Sequence, residues 1–209
     1  MKLISKNIID GQPIGEDYAF GAYDPENHVR LTANTSPHLA WSGAPTGTQS
    51  FALLVHDPDV PSRADDVNQE GRTVPHDLPR VDFFHWVAVD IPANTTEVDT
   101  GTGGLGVVAK GKSGPDAFGG ARHGINDYTA WFAGDPDMSG DYYGYDGPCP
   151  PWNDERLHHY VFTVYALDTA RCSVDGTFDG RDVRTAIEGH ILAKAQITGT
   201  YHIYPDAKA

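Results

Sequence analysis

Short runs of apolar, β-branched and aromatic residues recur along the chain, each bounded by Gly, Pro, Asn or Asp, which is typical of strands. The clearest predicted strands are Ser50–Asp57, Asp82–Ile91, His158–Asp168 and Ala195–Tyr204. Weaker predicted strands are His28–Thr32, Leu39–Ser42 and Leu105–Ala109. Because no regular helical pattern separates successive strands, as a βαβ fold requires, the chain is predicted to be mainly β, an antiparallel β-sandwich.

One amphipathic helix is predicted near the C-terminal end, from about Gly180 to Lys194. Val183, Ile187 and Ile191 recur at every fourth position and form a single apolar stripe. Thr177 or Asp179 is expected to cap its first turn. Since the helix leads directly into the last strand, we expect it to pack on the sheet.

Three long stretches show little strand or helix pattern, namely Pro58–Arg80, Ala93–Gly104 and Lys110–Pro151. Loops of this length inside a compact domain are usually functional or mobile, so Arg63–Arg80, which is polar with alternating charges, is expected to be disordered, a lid or a solvated loop. The glycine-rich segment Gly101–Gly106 lacks a strand–loop–helix context and is interpreted as a flexible turn. Arg122 begins a dense polar run, and we expect it to brace the structure rather than to bind a ligand.

Three of the strong strands carry an apolar face that becomes polar at one end. These faces end at Asp57 in the first strand, at His85 in the second, and at His158 and Tyr160 in the third. If the three faces share a core, their polar ends meet at its rim. The prolines of the segment Asp57-Pro58-Asp59-Val60-Pro61 are expected to stop the ladder there and to fix both carboxylates at the mouth of a site.

The residue types at this rim are those of an anion site. A carboxylate beside a histidine favours the imidazolium form and fixes its tautomer. Two imidazoles and a phenol supply hydrogen-bond donors for phosphate or carboxylate oxygens, and Gly147 allows a ligand to approach the backbone closely. The alternative is that these are buried polar residues that hydrogen bond only to one another.

Length, charge and cysteine content narrow the function classes. A chain of 209 residues is within the usual range for one domain, so residues 1–209 are expected to form a single domain. The formal net charge of −14 disfavours nucleic acid and anionic membrane surfaces. No apolar stretch is long enough for stable membrane insertion and none follows Met1, so a cytoplasmic protein is expected. Cys149 and Cys172 are expected to be reduced thiols.

Three motifs in order resemble the phosphatidylethanolamine-binding protein family, which includes the Raf kinase inhibitor proteins, and its bacterial and archaeal branch in particular. They are the segment beginning Asp57-Pro58-Asp59, the pair His85-Trp86, and Gly147-Pro148 followed by His158-His159-Tyr160. The resemblance extends from about Ala33 to Tyr204 and implies an antiparallel β-sandwich with a small anion-binding cavity. The residues that match the family's site are Asp57, Asp59, Pro61, His85, Gly147, His158 and Tyr160.

The resemblance also implies a homodimer and a ligand with a phosphate-type head group. Two departures affect the cavity lip. The interval Pro151–Leu157 is longer and more charged than the Gly-rich link of the eukaryotic branch, and Phe83 stands where the animal proteins tend to have tryptophan. The choice of ligand is therefore not carried over from the family.

The function expected from these observations is a non-catalytic binding module for a small anionic ligand, without a cofactor or metal, which regulates a protein partner. Two alternatives remain open. Asp57, Asp59, His85 and His158 could serve a metal-dependent hydrolase, since carboxylates and imidazoles bind divalent ions. The long loops could instead inhibit a protease or a kinase, as in some members of the family.

Overall fold

The computed structural model describes residues 1–207, most of whose regular structure is strand. The strands are β1 (Lys2–Ile4), β2 (Gly21–Asp24), β3 (His28–Leu31), β4 (Leu39–Ser42), β5 (Ser50–Pro61), β6 (Arg80–Pro92), β7 (Glu97–Val98), β8 (Arg122–His123), β9 (His158–Leu167) and β10 (Ile191–Tyr201). The α-helices are α1 (Tyr128–Trp131) and α2 (Gly180–Ala186), and short 3₁₀ turns lie at Glu16–Tyr18 and Phe118–Gly120. The predicted mainly β class is confirmed.

The strands form an antiparallel sandwich, as predicted. The larger sheet has five strands in the order β10-β9-β5-β6-β8, and a three-stranded sheet, β1-β4-β7, faces it. Trp41 from the smaller sheet meets Phe51 from the larger one edge to face at 5.4 Å, inside a core that both sheets fill. A two-stranded ribbon, β2-β3, stands apart from both sheets.

The C-terminal helix is present but shorter than predicted. It begins at Gly180 behind an Asp179 cap, whose carboxylate accepts from the N–H groups of Arg181 (2.7 Å) and Asp182 (3.0 Å). It ends at Ala186, because Gly189 takes a left-handed φ of 85° and the chain then turns into β10. Ile191 therefore belongs to the strand and is 42% exposed, although the four-residue spacing placed it on the helix stripe.

A β-bulge at His85 changes which face of β6 its residues occupy. Val55 pairs with Trp86 and His56 pairs with Phe84, so His85 is the extra residue between them. Strict alternation along the strand would place His85 on the same face as Val87 and Val89, but the bulge puts His85 at the cavity and the two valines on the outer face. Trp86 fills the core between the sheets, while Phe84 and Val87 pack under α2 on the outer face.

Strand β5 pairs with both β9 and β6, and its prolines at positions 58 and 61 end only one of these two hydrogen-bond ladders. The β5–β9 ladder ends at His56, before Pro58, as predicted. The β5–β6 ladder becomes irregular between Asp57 and Val60 and then resumes, so β5 extends to Pro61.

The last of the clear strands, predicted at Ala195–Tyr204, begins and ends earlier, since β10 runs from Ile191 to Tyr201. Leu105–Ala109 forms no strand, whereas the two other weak predictions match β3 and β4.

Arg122 does brace the structure, but it does so by holding the chain near Cys172 rather than the cavity. Both cysteines are free thiols, and within residues 1–207 no helix is long and apolar enough to cross a membrane.

Candidate functional site

A cavity of about 270 Å³ opens where the polar ends of β5, β6 and β9 meet. Its floor is formed by Asp57, His85, His158 and Tyr160, the strand-end residues that the face analysis predicted to converge. Its walls are almost entirely apolar, and they come from the β2–β3 ribbon, helix α1, the proline-rich segment before β9 and the loop between β5 and β6. Lining side chains include Phe20, Val29, Leu31, Pro61, Val67, Phe83, Trp131, Phe132, Cys149 and Pro151. Such a cavity suits a small ligand with one polar end.

Asp57 and His158 of the floor belong to a buried chain of four charged side chains that continues through Asp154 to Arg80. His158 Nδ1 donates to Asp57 Oδ2 at 2.6 Å, and His158 Nε2 donates to Asp154 Oδ2 at 3.0 Å. Arg80 binds both oxygens of Asp154, at 2.5 and 3.0 Å. None of the four side chains is more than 5% exposed. Two anions alternate with two cations, so the buried charge sums to zero.

The chain of charges keeps His158 protonated. Burial opposes a charge on the ring, but the carboxylates of Asp57 and Asp154 outweigh burial and raise the pKa of His158 to about 9. The imidazolium in turn holds the pKa of Asp57 below its ordinary value, against the effect of burial. Asp57 was expected to charge and orient a histidine, and the structure places its carboxylate against His158. However, both N–H groups of this ring are taken by carboxylates, so His158 has none left to donate to a ligand, contrary to its expected role.

Sequence reasoning missed Asp154 and Arg80. Asp154 lies four residues before His158. That spacing predicts contact between side chains only in a helix, and the segment that holds Asp154 is irregular. Arg80 is distant in sequence and was assigned to the end of a loop. It also donates to the carbonyls of Asp59 and Pro75, both at 2.9 Å, so one guanidinium connects the floor to the loop between β5 and β6.

His85 presents its Nε2 to the cavity. Its Nδ1 lies 2.7 Å from the carbonyl oxygen of Asp146, and since a carbonyl only accepts, Nδ1 carries the proton. Burial lowers the pKa of His85, so the ring is neutral near pH 7 and Nε2 holds a lone pair. No hydrogen-bond partner for this Nε2 lies within residues 1–207. His85 was expected to donate to an anion, but in its neutral form it accepts instead.

Tyr160 supplies the hydroxyl of the floor. Burial, together with the nearby Asp57 carboxylate, raises the pKa of Tyr160 well above its ordinary value. The hydroxyl therefore stays protonated, and a ligand oxygen would take the place of the Asp57 carboxylate as its acceptor. The ring of Tyr160 meets that of His85 edge to face at 5.1 Å, which places the Tyr160 donor and the His85 acceptor side by side.

Two of the predicted site residues lie outside the cavity. The Asp59 carboxylate binds Arg156 at 3.2 Å and His159 Nδ1 at 2.8 Å, on the far side of the strand. The N–H of Gly147, expected to face a ligand, donates to Asn34 Oδ1 at 2.8 Å. Gly147 is needed for close packing, because a Cβ there would lie 2.1 Å from the Tyr18 carbonyl oxygen.

Asp146 is a second buried residue that the sequence did not reveal. It is fully buried and accepts from Asn34 Nδ2 and Asn126 Nδ2, both at 2.8 Å, and from Lys112 Nζ at 2.7 Å. Its backbone carbonyl is the acceptor for His85 Nδ1. Asp146 therefore fixes the tautomer of His85 through its backbone while its side chain holds the surrounding loops.

The loop of residues 62–79 forms one wall of the cavity and is held by Asn153. The Asn153 amide donates to the carbonyls of Asp66 (2.8 Å) and Arg72 (3.0 Å). Its Oδ1 accepts from Asn68 N–H at 2.9 Å, and its carbonyl accepts from Val74 N–H at 2.9 Å. Asn153 is 2% exposed. The predicted lid or solvated loop is thus a wall tied down at one buried point.

The arrangement does not favour the metal-dependent alternative. Asp57 and His158 bind each other, Asp59 points away, and no three His, Cys, Asp or Glu side chains within the described residues are placed to hold one metal ion.

The sequence profile described as "Phosphatidylethanolamine-binding protein" matches residues 4–202. The chain is 33% identical over 203 residues to the UPF0098 protein YbhB of Escherichia coli K12, covering 96% of this chain and 99% of that protein. It is 32% identical over 202 residues to YbcL of the same organism, covering 97% and 87%. A UPF0098 protein of Methanothermobacter thermautotrophicus is 33% identical over 85% of this chain and 89% of its own length.

Solved structures show the same fold. The crystal structure of E. coli YbcL, described as a new member of the mammalian PEBP family, superposes with a TM-score of 0.68 at 31% identity, covering 96% of this chain and 97% of that one. The structure of CT736 from Chlamydia trachomatis, a putative phosphatidylethanolamine-binding protein homologue, superposes with a TM-score of 0.64 at 25% identity, covering 96% of both chains.

Proposed function

The chain belongs to the phosphatidylethanolamine-binding protein family, and we propose that it is a non-catalytic binding protein for a small anionic ligand with a phosphate-type head group. The observation that carries the proposal is the cavity, with a polar floor beneath apolar walls. The head group binds at His85 and Tyr160, and the rest of the ligand lies against the walls.

The floor favours a head group that brings its own proton. The Tyr160 hydroxyl donates to one oxygen of the ligand, whereas neutral His85 Nε2 needs a donor from it. A singly protonated phosphate monoester meets both requirements. An anion without a proton requires His85 to be protonated first.

The floor also lacks an activated nucleophile. Cys149 lines the cavity, but burial raises the pKa of its thiol to about 12, so the thiol is protonated and inert. The two nitrogens of His158 are occupied, so this ring has no free nitrogen to act as a general base toward a substrate. His85 Nε2 keeps a lone pair, but these floor groups offer it no activated nucleophile, so we propose binding without catalysis.

The family resemblance and the composition lead us to propose three further properties of the protein. The protein acts in the cytoplasm, it forms a homodimer, and ligand binding regulates a protein partner that is not yet identified. Sedimentation equilibrium tests the dimer, because a monomer mass over the whole concentration range contradicts it. Inhibition of a protease or kinase through surface loops has no specific observation in its favour.

The experiment for the proposed function is a two-dimensional amide NMR titration with phosphate, phosphoethanolamine, phosphoserine and acetate. Saturable shifts confined to the cavity lining, with phosphate monoesters bound more tightly than acetate, are expected. Shifts spread over the surface, or none at ~10 mM ligand, where even a weak millimolar site would be occupied, contradict the proposal.

A further inference from the structure

A second, open groove lies away from the cavity, along the glycine-rich segment that the sequence analysis interpreted as a turn. It has a volume of about 630 Å³ and shares no lining residue with the cavity. Residues 101–104 form one wall, residues 111–113 and 116–118 form the other, and His123 lies at its base.

His123 lines this groove, and one nitrogen of its ring has no hydrogen-bond partner among the described residues. The ring is 7% exposed, and its Nε2 accepts from Trp86 Nε1–H at 3.2 Å. The neutral ring must then carry its proton on Nδ1. Burial, helped by the charge of Lys112, lowers the pKa of His123 to about 4, so the ring is neutral near pH 7. No acceptor for Nδ1–H lies within the part of the chain that the structure describes.

The glycines leave this donor uncovered. A Cβ at Gly144 would lie 3.4 Å from His123 Nδ1, and Gly144 has none. Gly103 is held against the indole of Trp86, where a Cβ would lie 2.1 Å from the ring. Gly144 therefore places no side chain beside His123 Nδ1, and Gly103 lets the groove wall pack directly on the neighbouring indole.

The charges around the groove disfavour an anionic ligand. Lys112 Nζ is 2.7 Å from Asp146 Oδ2, so its charge is already compensated. The exposed carboxylate of Asp116 adds a negative charge at the rim. A neutral ligand that offers both acceptors and hydroxyl donors fits these groups.

We propose that this groove binds a saccharide. The Nδ1–H of His123 donates to a sugar oxygen, the Asp116 carboxylate accepts from sugar hydroxyls, and the Phe118 ring, 6.0 Å from that of His123, packs against the apolar face of the sugar. The hydroxyls of Thr102 and Ser113 complete the polar rim. This site is independent of the anion cavity.

The test is an amide NMR titration of the full chain with N-acetylglucosamine, methyl β-glucopyranoside and cellobiose, together with the imidazole resonances of His123. Asp116→Asn removes the rim carboxylate at an exposed position. Asp175→Asn is the matched control, because the Asp175 side chain is 90% exposed and lies outside the groove.

Saturable shifts at residues 101–104 and 111–118 and at His123 Nδ1 are expected for at least one sugar. Affinity should fall about threefold or more in Asp116→Asn and stay unchanged in Asp175→Asn. The absence of saturable shifts for all three sugars at ~50 mM overturns the proposal, and so does equal affinity in Asp116→Asn and the wild type. Chemical-shift changes caused by phosphate in the cavity are measured at different amides. The anion cavity and the saccharide groove are therefore tested independently of each other.

Discussion

Among single residues, we propose that His85 and Tyr160 determine which ligands the cavity binds. They are the polar floor groups that can still serve a ligand, since Asp57 and His158 bind each other. Tyr160 donates at any pH near neutrality, whereas His85 changes from acceptor to donor when it is protonated. The preference of the cavity for one head group over another should therefore depend on pH through the protonation of His85.

Binding of dimethyl phosphate should strengthen as the pH falls. This ion keeps a single negative charge and carries no proton, so it gains a donor only when His85 is protonated, and a bound anion raises the His85 pKa. The association constant should rise roughly tenfold between about pH 7 and pH 5. Titration calorimetry at several pH values measures it.

His85→Asn is the control, because the Asn amide can still donate to the Asp146 carbonyl while Nε2 is lost. Its affinity should be nearly independent of pH. An identical pH profile in the variant and the wild type would show that another group is responsible.

Arg122→Ala should lower stability and leave binding unchanged. Arg122 donates to Asp90 Oδ2 at 2.6 Å and to the carbonyls of Val174 (2.7 Å) and Cys172 (3.1 Å), and it does not line the cavity. Losing these charged hydrogen bonds should reduce the free energy of unfolding by about 2–4 kcal/mol. Urea denaturation checks this, with the exposed Arg63→Ala as a control, and an unchanged midpoint would contradict it.

At the scale of elements, the sequence predicted which strands meet at the site but not how each one presents its side chains. Period-two alternation placed His158, Tyr160 and Asp57 at the cavity, because β9 is regular there and the β5–β9 ladder keeps its register up to His56, next to Asp57. It failed in β6, where the bulge at His85 follows from the packing of Trp86 between the sheets and leaves no mark in local composition.

Contacts between loops were beyond prediction for a similar reason. Asn153 holds the 62–79 loop and Asp154 continues the charge chain, yet both lie in a segment without periodicity. The helix end was misplaced because Ile191 continues the four-residue spacing while Gly189 ends the helix. Only the tertiary structure reveals these partners.

Asn153→Ala should loosen the loop wall without unfolding the protein. The change removes the side-chain hydrogen bonds to Asp66, Arg72 and Asn68, and should reduce stability by about 2–3 kcal/mol. Amide hydrogen exchange should accelerate at Asn68 and Val74 but not at Val164 in the core. Gln69→Ala serves as the control, and unchanged exchange at Asn68 in Asn153→Ala would argue against the anchor.

For the whole molecule, folding raises the pKa of one buried histidine and lowers the pKa of two others. The free energy of unfolding should therefore decrease both above and below neutral pH. The His158 pKa rises from 6.5 to about 9 on folding, so its contribution is complete below pH 6.5 and is lost as the pH rises toward 9. Burial lowers the pKa values of His56 and His123 to about 4, so their contribution is present above pH 6.5 and is lost as the pH falls toward 4.

The free energy of unfolding should therefore be greatest near pH 6.5. By pH 9 it should decrease by roughly 3 kcal/mol, the equivalent of the His158 shift. Urea denaturation in about 1 M salt, where the Debye length is about 3 Å, suppresses the self-repulsion that a net charge of −14 produces. Equal stability at pH 6.5 and 9 would contradict the protonated state assigned to His158.

Two tyrosines of the same cavity differ in whether their hydroxyl is available to a ligand, and comparing them shows whether the cavity floor binds the head group. Tyr160 is proposed to donate to the head group, whereas the Tyr128 hydroxyl is bound to the Gly147 carbonyl at 2.9 Å. The measurement is the affinity of wild type, Tyr160→Phe and Tyr128→Phe for phosphoethanolamine. Tyr160→Phe should bind about tenfold more weakly and Tyr128→Phe within about twofold of wild type. Wild-type affinity in Tyr160→Phe, or equal losses in both variants, would contradict the cavity floor as the binding site.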